Sequence, residues 1–259
     1  MKNLSNSQLA FSVLISLGDA SGSGFIYRSD KHYYLITAKH VLINDSMDLR
    51  STEIQIAGQS KDIFDHKVNR INIDLNIVPY KSHSSADITV VEIGVVLNNN
   101  GDLNFLLNEG VTYIEEASSK LITATKQVTS TLADVIISND IYISGYPTSL
   151  GIERSPQFDL TKPLLRKGIV ANINLNTQTI ILDCPVYKGN SGGPVVQVIY
   201  EKEKKRVKLI GVVSQFIPYV QKWKNDRDQL THIEHLNSGY SVAVSMDCVL
   251  ELIDEMEAS

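Results

Sequence analysis

Cysteine is scarce in this sequence of 259 residues, with only Cys184 and Cys248. Two cysteines form at most one bridge, so a disulfide-stapled scaffold is excluded and a reducing compartment or a disulfide-independent fold is expected. No apolar run reaches the roughly 18 residues that a membrane-spanning helix needs, so no membrane span is expected. Neither sign of charge dominates: the formal net charge is −5 and the pI about 5.7. That balance removes the general electrostatic case for nucleic acid or an anionic membrane as partner. Walker-A, HExxH and CxxC patterns are missing. His232 and His235 flank Glu234 without a third ligand at a supporting spacing, so no metal and no cofactor is expected. No internal repeat and no Pro/Gly/Ser linker divides residues 1–259, which read as a single domain.

Hydrophobic residues make up 43% of the chain, enough for a large core. They fall mostly in short β-branched runs at 10–17, 23–27, 33–37, 54–57, 71–78 and 88–96. Further runs lie at 111–114, 120–129, 141–144, 168–173, 179–183, 194–200, 207–214 and 240–244. Many short strands with turn signals between them predict an all-β sandwich or barrel. The exception is Met246 to Glu257, where Val249, Leu250, Ile253 and Met256 follow a helical spacing and predict a terminal helix. Near the start, Leu9 to Leu17 competes as a signal-peptide core. Serines interrupt it, only Lys2 supplies a basic flank, and Phe11, Val13, Ile15 and Leu17 share one face of a strand. The first-strand reading places the protein in the cytoplasm.

The segment Gly189-Asn190-Ser191-Gly192-Gly193-Pro194 sets a serine among residues that can approach a ligand through backbone alone. A serine hydroxyl is a weak nucleophile and needs a base and donors for the oxyanion formed on attack. Without a Cβ, Gly189 can turn its N–H toward the same point as that of Ser191; a plain glycine-rich hairpin turn is the other reading. The run Tyr33 to Leu42 carries His40 near its end, an imidazole suited to take up and return the serine proton, or a histidine that merely sits at a sheet edge. Asp87 precedes an alternating β-branched strand and can accept the histidine Nδ1–H; Asp74 in Asn72 to Leu75 is the competing carboxylate.

The order His40, Asp87, Ser191, with intervals of 47 and 104 residues, resembles the chymotrypsin-like serine proteases. Ser21-Gly22-Ser23-Gly24-Phe25 resembles the GSGF hairpin of the HtrA/Deg-type bacterial branch. Segments 143–147 and 167–170 are similar to its GNP turn and GIV strand, and 209–214 and 239–244 to its cleft and final strands. The resemblance spans about residues 8–257 and is weakest over 95–135. It implies two stacked six-stranded antiparallel β-barrels, the first over about 8–110 and the second over about 120–245, with the C-terminal helix at about 246–257. It further implies a serine endopeptidase acting on a protein or peptide substrate.

Carried over residue by residue, the oxyanion hole falls on Gly189, Asn190 and Ser191. Pro185 sits at the base of the S1 pocket, with Ser214, Gln215 and Phe216 on one wall and Gly239 and Ser241 on the other. Without an acid at Pro185, a small or medium apolar or polar P1 residue is expected. Asn190 stands where digestive members carry an aspartate that pairs with a newly cut N-terminus. Loop ordering around Gly189 and residues 145–166, or an activating protein partner, is therefore the expected switch. The HtrA-type PDZ domain is not expected here. The alternatives are a protease-fold binding module and a latent effector in a larger signalling or defence assembly. The charge run 201–206 reads as a solvated hairpin tip, and residues 217–238 as an enlarged loop carrying Trp223.

Overall fold

The computed structural model describes residues 10–18, 20–62, 64–99, 102–148, 156–201, 204–225 and 230–258. Lys2 and Leu9 of the N-terminal stretch, residues 149–155 of the 145–166 loop, and Lys202 and Glu203 of the charge run lie outside them.

Strands β1 (Ser12–Leu17), β2 (Ala20–Arg28) and β3 (His32–Thr37) lead into a four-residue helical turn, α1 (Lys39–Leu42). They are followed by β4 (Glu53–Gln59), β5 (Val68–Asp74), β6 (Tyr80–Ser82), β7 (Thr89–Asn99), β8 (Asp102–Leu107), β9 (Val111–Glu115) and β10 (Thr123–Thr125). The second half comprises β11 (Asp140–Gly145), β12 (Leu164–Asn174), β13 (Thr179–Asp183), β14 (Pro194–Glu201), β15 (Lys204–Asn225) and β16 (Leu230–Ser245), closed by α2 (Met246–Glu257).

The chain is all-β with a C-terminal helix, as its strand pattern predicts. The second half closes into a six-stranded barrel in the order β11-β12-β13-β16-β15-β14. The first half is a ten-stranded sheet running β6-β7-β3-β2-β1-β4-β5-β9, with β8 added to β7 and β10 added to β2. The weakly patterned stretch after residue 95 supplies the additional strands.

The continuous apolar run of β3 is explained by burial on both faces. Tyr33 and Leu35 enter the core of the first sheet. Tyr34 and Ile36 point the other way, into a cluster with Val212 and Val244 of the second barrel and Val249 and Ile253 of α2. Successive residues of a strand face opposite sides, so alternation without polar residues marks a strand between two cores. Each large side chain buried there contributes about 1.5–3 kcal/mol. A third cluster, with Ile141, Ile180, Ile210 and Val213, fills the second barrel. Helix α2 seals the intermediate cluster with Met246, Val249, Leu252 and Ile253, each buried.

Two local expectations change. His40 lies on a helical turn rather than on β3 itself, which ends at Thr37. Residues 217–225 and 230–238 are not loop: they extend β15 and β16 into a ribbon paired from Pro218↔Asn237 to Asn225↔Leu230. The β-forming residues Tyr219, Val220, Trp223, Thr231 and Ile233 carry it.

Cys184 and Cys248 are both free and buried. Burial pushes each thiol up to about 11, with Glu251 and Asp247 adding to the effect on Cys248. At pH 8 the thiolate fraction is then about 0.1%. Ellman's reagent is expected to find no fast-reacting thiol in the native protein and two per chain after denaturation; rapid native titration would contradict this packing.

Candidate active site

Strand pairing brings the distant residues together. The register of β3 against β7 ends at Thr37↔Thr89. The residues just after β3 and just before β7 therefore emerge side by side, and these carry His40 and Asp87. On the second barrel, Pro194 of β14 pairs with Val212 of β15, which places Ser191, just before β14, beside Ser214.

His40 Nδ1 lies 2.8 Å from Asp87 Oδ2, and the His40 amide donates to Asp87 Oδ1 at 3.0 Å. An ionised carboxylate only accepts, so Nδ1 donates and the neutral ring keeps the Nε2 lone pair for another proton. Ser214 Oγ adds a third bond to Asp87, 2.6 Å from Oδ2. Burial works against the carboxylate, but the His40 bonds and charge and the Ser214 bond outweigh it, holding Asp87 below the usual range. Asp74, the competing acid, lies at the end of β5, where it accepts from the Asn76 amide at 2.9 Å and from Asn76 Nδ2 at 3.0 Å.

Ser191 Oγ donates to the Ser214 carbonyl at 3.0 Å. Ser214 thus holds Asp87 through its hydroxyl and Ser191 through its carbonyl, where the sequence suggests only a pocket wall.

Gly189 has φ +97 and Gly192 φ +86. A Cβ on Gly189 would stand 2.2 Å from the Tyr146 carbonyl, and one on Gly192 would stand 2.0 Å from the Ser23 carbonyl. Neither position admits a side chain. Asn190 corrects the expected oxyanion set: its amide donates to the Tyr187 carbonyl at 2.9 Å, and its Oδ1 accepts from the Tyr187 amide at 3.0 Å. It braces the turn from within, which leaves Gly189 and Ser191 as the candidate donors.

The loop is anchored by Ser23, a residue of the GSGF segment whose hydroxyl no sequence argument singles out. The Ser23 amide donates to the Ser191 carbonyl at 2.8 Å, and Ser23 Oγ donates to the Gly189 carbonyl at 2.6 Å. The same Oγ accepts from the Tyr146 amide at 2.9 Å. On the other side, the His83 ring accepts at Nδ1 from the Ala86 amide at 2.8 Å and the Ser85 amide at 3.2 Å, folding the turn that presents Asp87. Arg50 Nε donates to the His40 carbonyl at 2.9 Å. The contacts of Ser23 and Arg50 span 10 to 166 positions and leave no periodic signal.

The expected pocket segments meet, with differences in detail. Phe216 pairs with Ser241 across β15 and β16 and packs against the second-barrel cluster containing Cys184, Val186 and Val213. Ser241 is fully buried and donates to the Cys184 carbonyl at 2.8 Å, so it ties β16 to the residue before Pro185 and does not line the expected wall. Pro185, expected at the base, is partly buried, whereas Gln215 is exposed. Gly239, expected on the other wall, has φ +89, and its amide donates to Asn237 Oδ1. Asn237 Nδ2 in turn reaches the Val186 carbonyl at 2.7 Å. His232 and His235 lie on β16, where a separation of three places them on opposite faces. Among the described residues no cluster suited to a metal ion occurs.

The trypsin-like peptidase domain family matches residues 22–200, a span that includes His40, Asp87 and Ser191. The chain belongs to this family, and it is a serine endopeptidase, a hydrolase of peptide bonds. Among solved structures, a Glu endopeptidase in complex with MPD is similar at a TM-score of 0.57 and 12% identity, covering 100% of this chain and 95% of that one. An HtrA-type protease with a tripeptide is similar at 0.52 and 14%, covering 97% and 62%. Kallikrein-related peptidase 10 follows at 0.52 and 10%, covering 99% of each. At these identities the likeness is one of fold. No curated protein sequence matches the chain.

Two substitutions test the anchoring. Ser23→Ala leaves the Gly189 carbonyl and Tyr146 amide without this partner and is expected to cost about 1–3 kcal/mol in urea unfolding; an unchanged midpoint would show that Ser23 is not an anchor. Asp87 has a depressed pKa, so its contribution to stability is present above the unfolded carboxylate value of about 4 and is lost as pH falls through the folded value. Ser214→Ala removes one of the bonds lowering it. The acid-unfolding midpoint is then expected at higher pH, and a midpoint that stays or falls would contradict the assignment.

Proposed function

We propose that His40, Asp87 and Ser191 form the catalytic triad of this endopeptidase, with the Gly189 and Ser191 N–H groups as oxyanion donors. The carrying observation is the doubly bonded His40–Asp87 pair, at 2.8 and 3.0 Å. That pair holds the imidazole in the tautomer whose Nε2 can accept a proton. Ser191 Oγ attacks the substrate carbonyl carbon and its proton passes to His40 Nε2, while the carbonyl oxygen takes up the negative charge. Collapse breaks the C–N bond, and His40 returns the proton to the departing amine. Water then repeats the sequence on the acyl-enzyme and frees Ser191. Substrates are proteins or peptides. No cofactor enters this scheme.

Regulation by loop ordering or by a protein partner belongs to the same proposal. Ser191 Oγ donates its one proton to the Ser214 carbonyl, so that bond is exchanged for one to His40 Nε2 before attack. Gly189 rests directly on Tyr146 and Thr148. A cavity of about 250 Å³ lined by Leu14, Tyr146, Thr148 and Phe158 backs onto that contact. Displacement of residues 146–148 would reach the oxyanion donors first, where each lost donor costs about 3–4 kcal/mol in the transition state. The two buried free thiols support a cytoplasmic location. The Ser191 bond to the Ser214 carbonyl also favours a second reading, a latent effector or binding module that becomes competent only within an assembly.

Ser191→Ala is expected to lower turnover by about 10³–10⁶-fold with the fold intact, and Asp87→Asn by on the order of 10⁴-fold. An active Ser191→Ala chain would remove the triad. A fluorophosphonate probe labels Ser191 only if triad and oxyanion site are formed. Labelling of the isolated chain supports the competent enzyme, and labelling that needs an added partner supports the latent reading.

A further inference from the structure

The ribbon formed by β15 and β16 stands apart from both cores. Beyond Phe216 on one strand and Tyr240 on the other, large side chains are left in solvent: Tyr219 is 57% exposed, Trp223 56% and Ile233 49%. A two-stranded ribbon without a core is marginal in water, and long unpaired edges invite a third strand. The strand pairing indicates where that strand belongs.

Strand β14 covers one edge of β15 only as far as Pro194↔Val212. The residues preceding β14 close the last rungs: the Gly192 amide donates to Val213 and the Val213 amide to Gly193. From Ser214 outward β14 no longer covers that edge of β15, and the first group beside it is the Ser191 hydroxyl, on the Ser214 carbonyl. Among the described residues no strand fills that edge, so an open lane begins at Ser191 and follows β15 to the end of the ribbon. Pro218 interrupts β15 at the ribbon base, as proline does on strands whose edge is open. Asn237 bonds the ribbon base to Val186, next to the pocket base.

Given the peptidase reading, on which this rests, we propose that the ribbon is a docking edge for the substrate segment on the N-terminal side of the scissile bond. A polypeptide whose scissile carbonyl lies at Ser191 fills the lane by running antiparallel to β15, in the direction of β14. From Ser214 to Lys224 the strand advances about 3.3 Å per residue, so the lane takes roughly eight to ten substrate residues. Only an extended, unfolded chain can occupy it. Val220, Lys222 and Lys224 alternate onto one face of β15, and Tyr219, Gln221 and Trp223 onto the other. The complementary segment alternates acidic residues, opposite the lysines, with apolar or aromatic ones, opposite Tyr219 and Trp223.

Trp223 is the only tryptophan in the chain, so its emission reports on the ribbon without turnover. The test uses the full chain, as wild type and as Ser191→Ala. The probes are synthetic peptides with four or ten residues before the cleaved bond, the ten-residue form alternating Glu with Phe or Leu. The long peptide is expected to shift Trp223 emission of Ser191→Ala and to bind about tenfold or more tightly than the short one. Wild type should show the same gain in kcat/KM. N-methylation of the upstream peptide amides should cancel both gains with the protein untouched, and Lys in place of Glu should weaken them. Equal cleavage of long and short peptides with no emission change would overturn the docking edge and leave the peptidase reading in place. Emission change and binding without hydrolysis or fluorophosphonate labelling would do the reverse. An emission change that follows protein concentration, with a doubled solution mass and no response to peptide, would assign the ribbon to a second copy of the chain and overturn the proposal.

Discussion

The bonding of Ser23 to the loop of the other half is the constraint on which the site depends. Its amide holds the Ser191 carbonyl and its hydroxyl holds the Gly189 carbonyl while accepting from Tyr146. Thr37 Oγ1, at the end of β3, donates to the Ser23 carbonyl at 2.8 Å. The strand that leads to His40 and the turn that bears Ser191 are thereby fixed to one buried residue. Exposed to water these bonds would contribute little; enclosed, each unpaired group is costly, so the arrangement is kept as a unit. Ser12 and Ser144 add a hydroxyl pair across the same seam.

Around that seam the geometry follows from strand ends. Antiparallel neighbours deliver the residues after one strand and before the next to the same edge, and the site uses this twice, with β3 and β7 and with β14 and β15. Ser214 links the two edges, since its hydroxyl reaches Asp87 and its carbonyl holds Ser191. A residue joined to both Asp87 and Ser191 couples their positions: moving either edge disturbs the other. The glycines serve the same end, because a Cβ at Gly189 or Gly192 would push the turn away from the first half.

Much of this was legible along the chain. Alternation marked the strands, a helical spacing marked α2, and the choice of Asp87 over Asp74 agrees with the carboxylate that meets His40. Other features were not legible, for reasons of range. Asn190 lies beside Ser191 in sequence, yet its amide turns inward to Tyr187. Ser241 falls at a pocket position, yet its hydroxyl is buried on the Cys184 carbonyl. His83 precedes Asp87 by four residues, and its ring has two amides to accept only once the turn has formed. The ribbon beyond Phe216 was hidden because its apolar residues face solvent, so the pattern that betrays a half-buried strand is weak there.

By itself the sequence determined the chemical groups and the local conformations: an imidazole, a carboxylate and a hydroxyl, glycines where positive φ is required, and alternating apolar runs that can only be strands. These follow from side-chain chemistry and near-neighbour sterics, which act over a few residues. The tertiary structure alone decided which hydroxyl meets which carbonyl, which amide faces the cleft and which strand edge stays open. Those outcomes depend on hydrogen bonds between residues brought together by strand register, and register is settled by burial of whole faces.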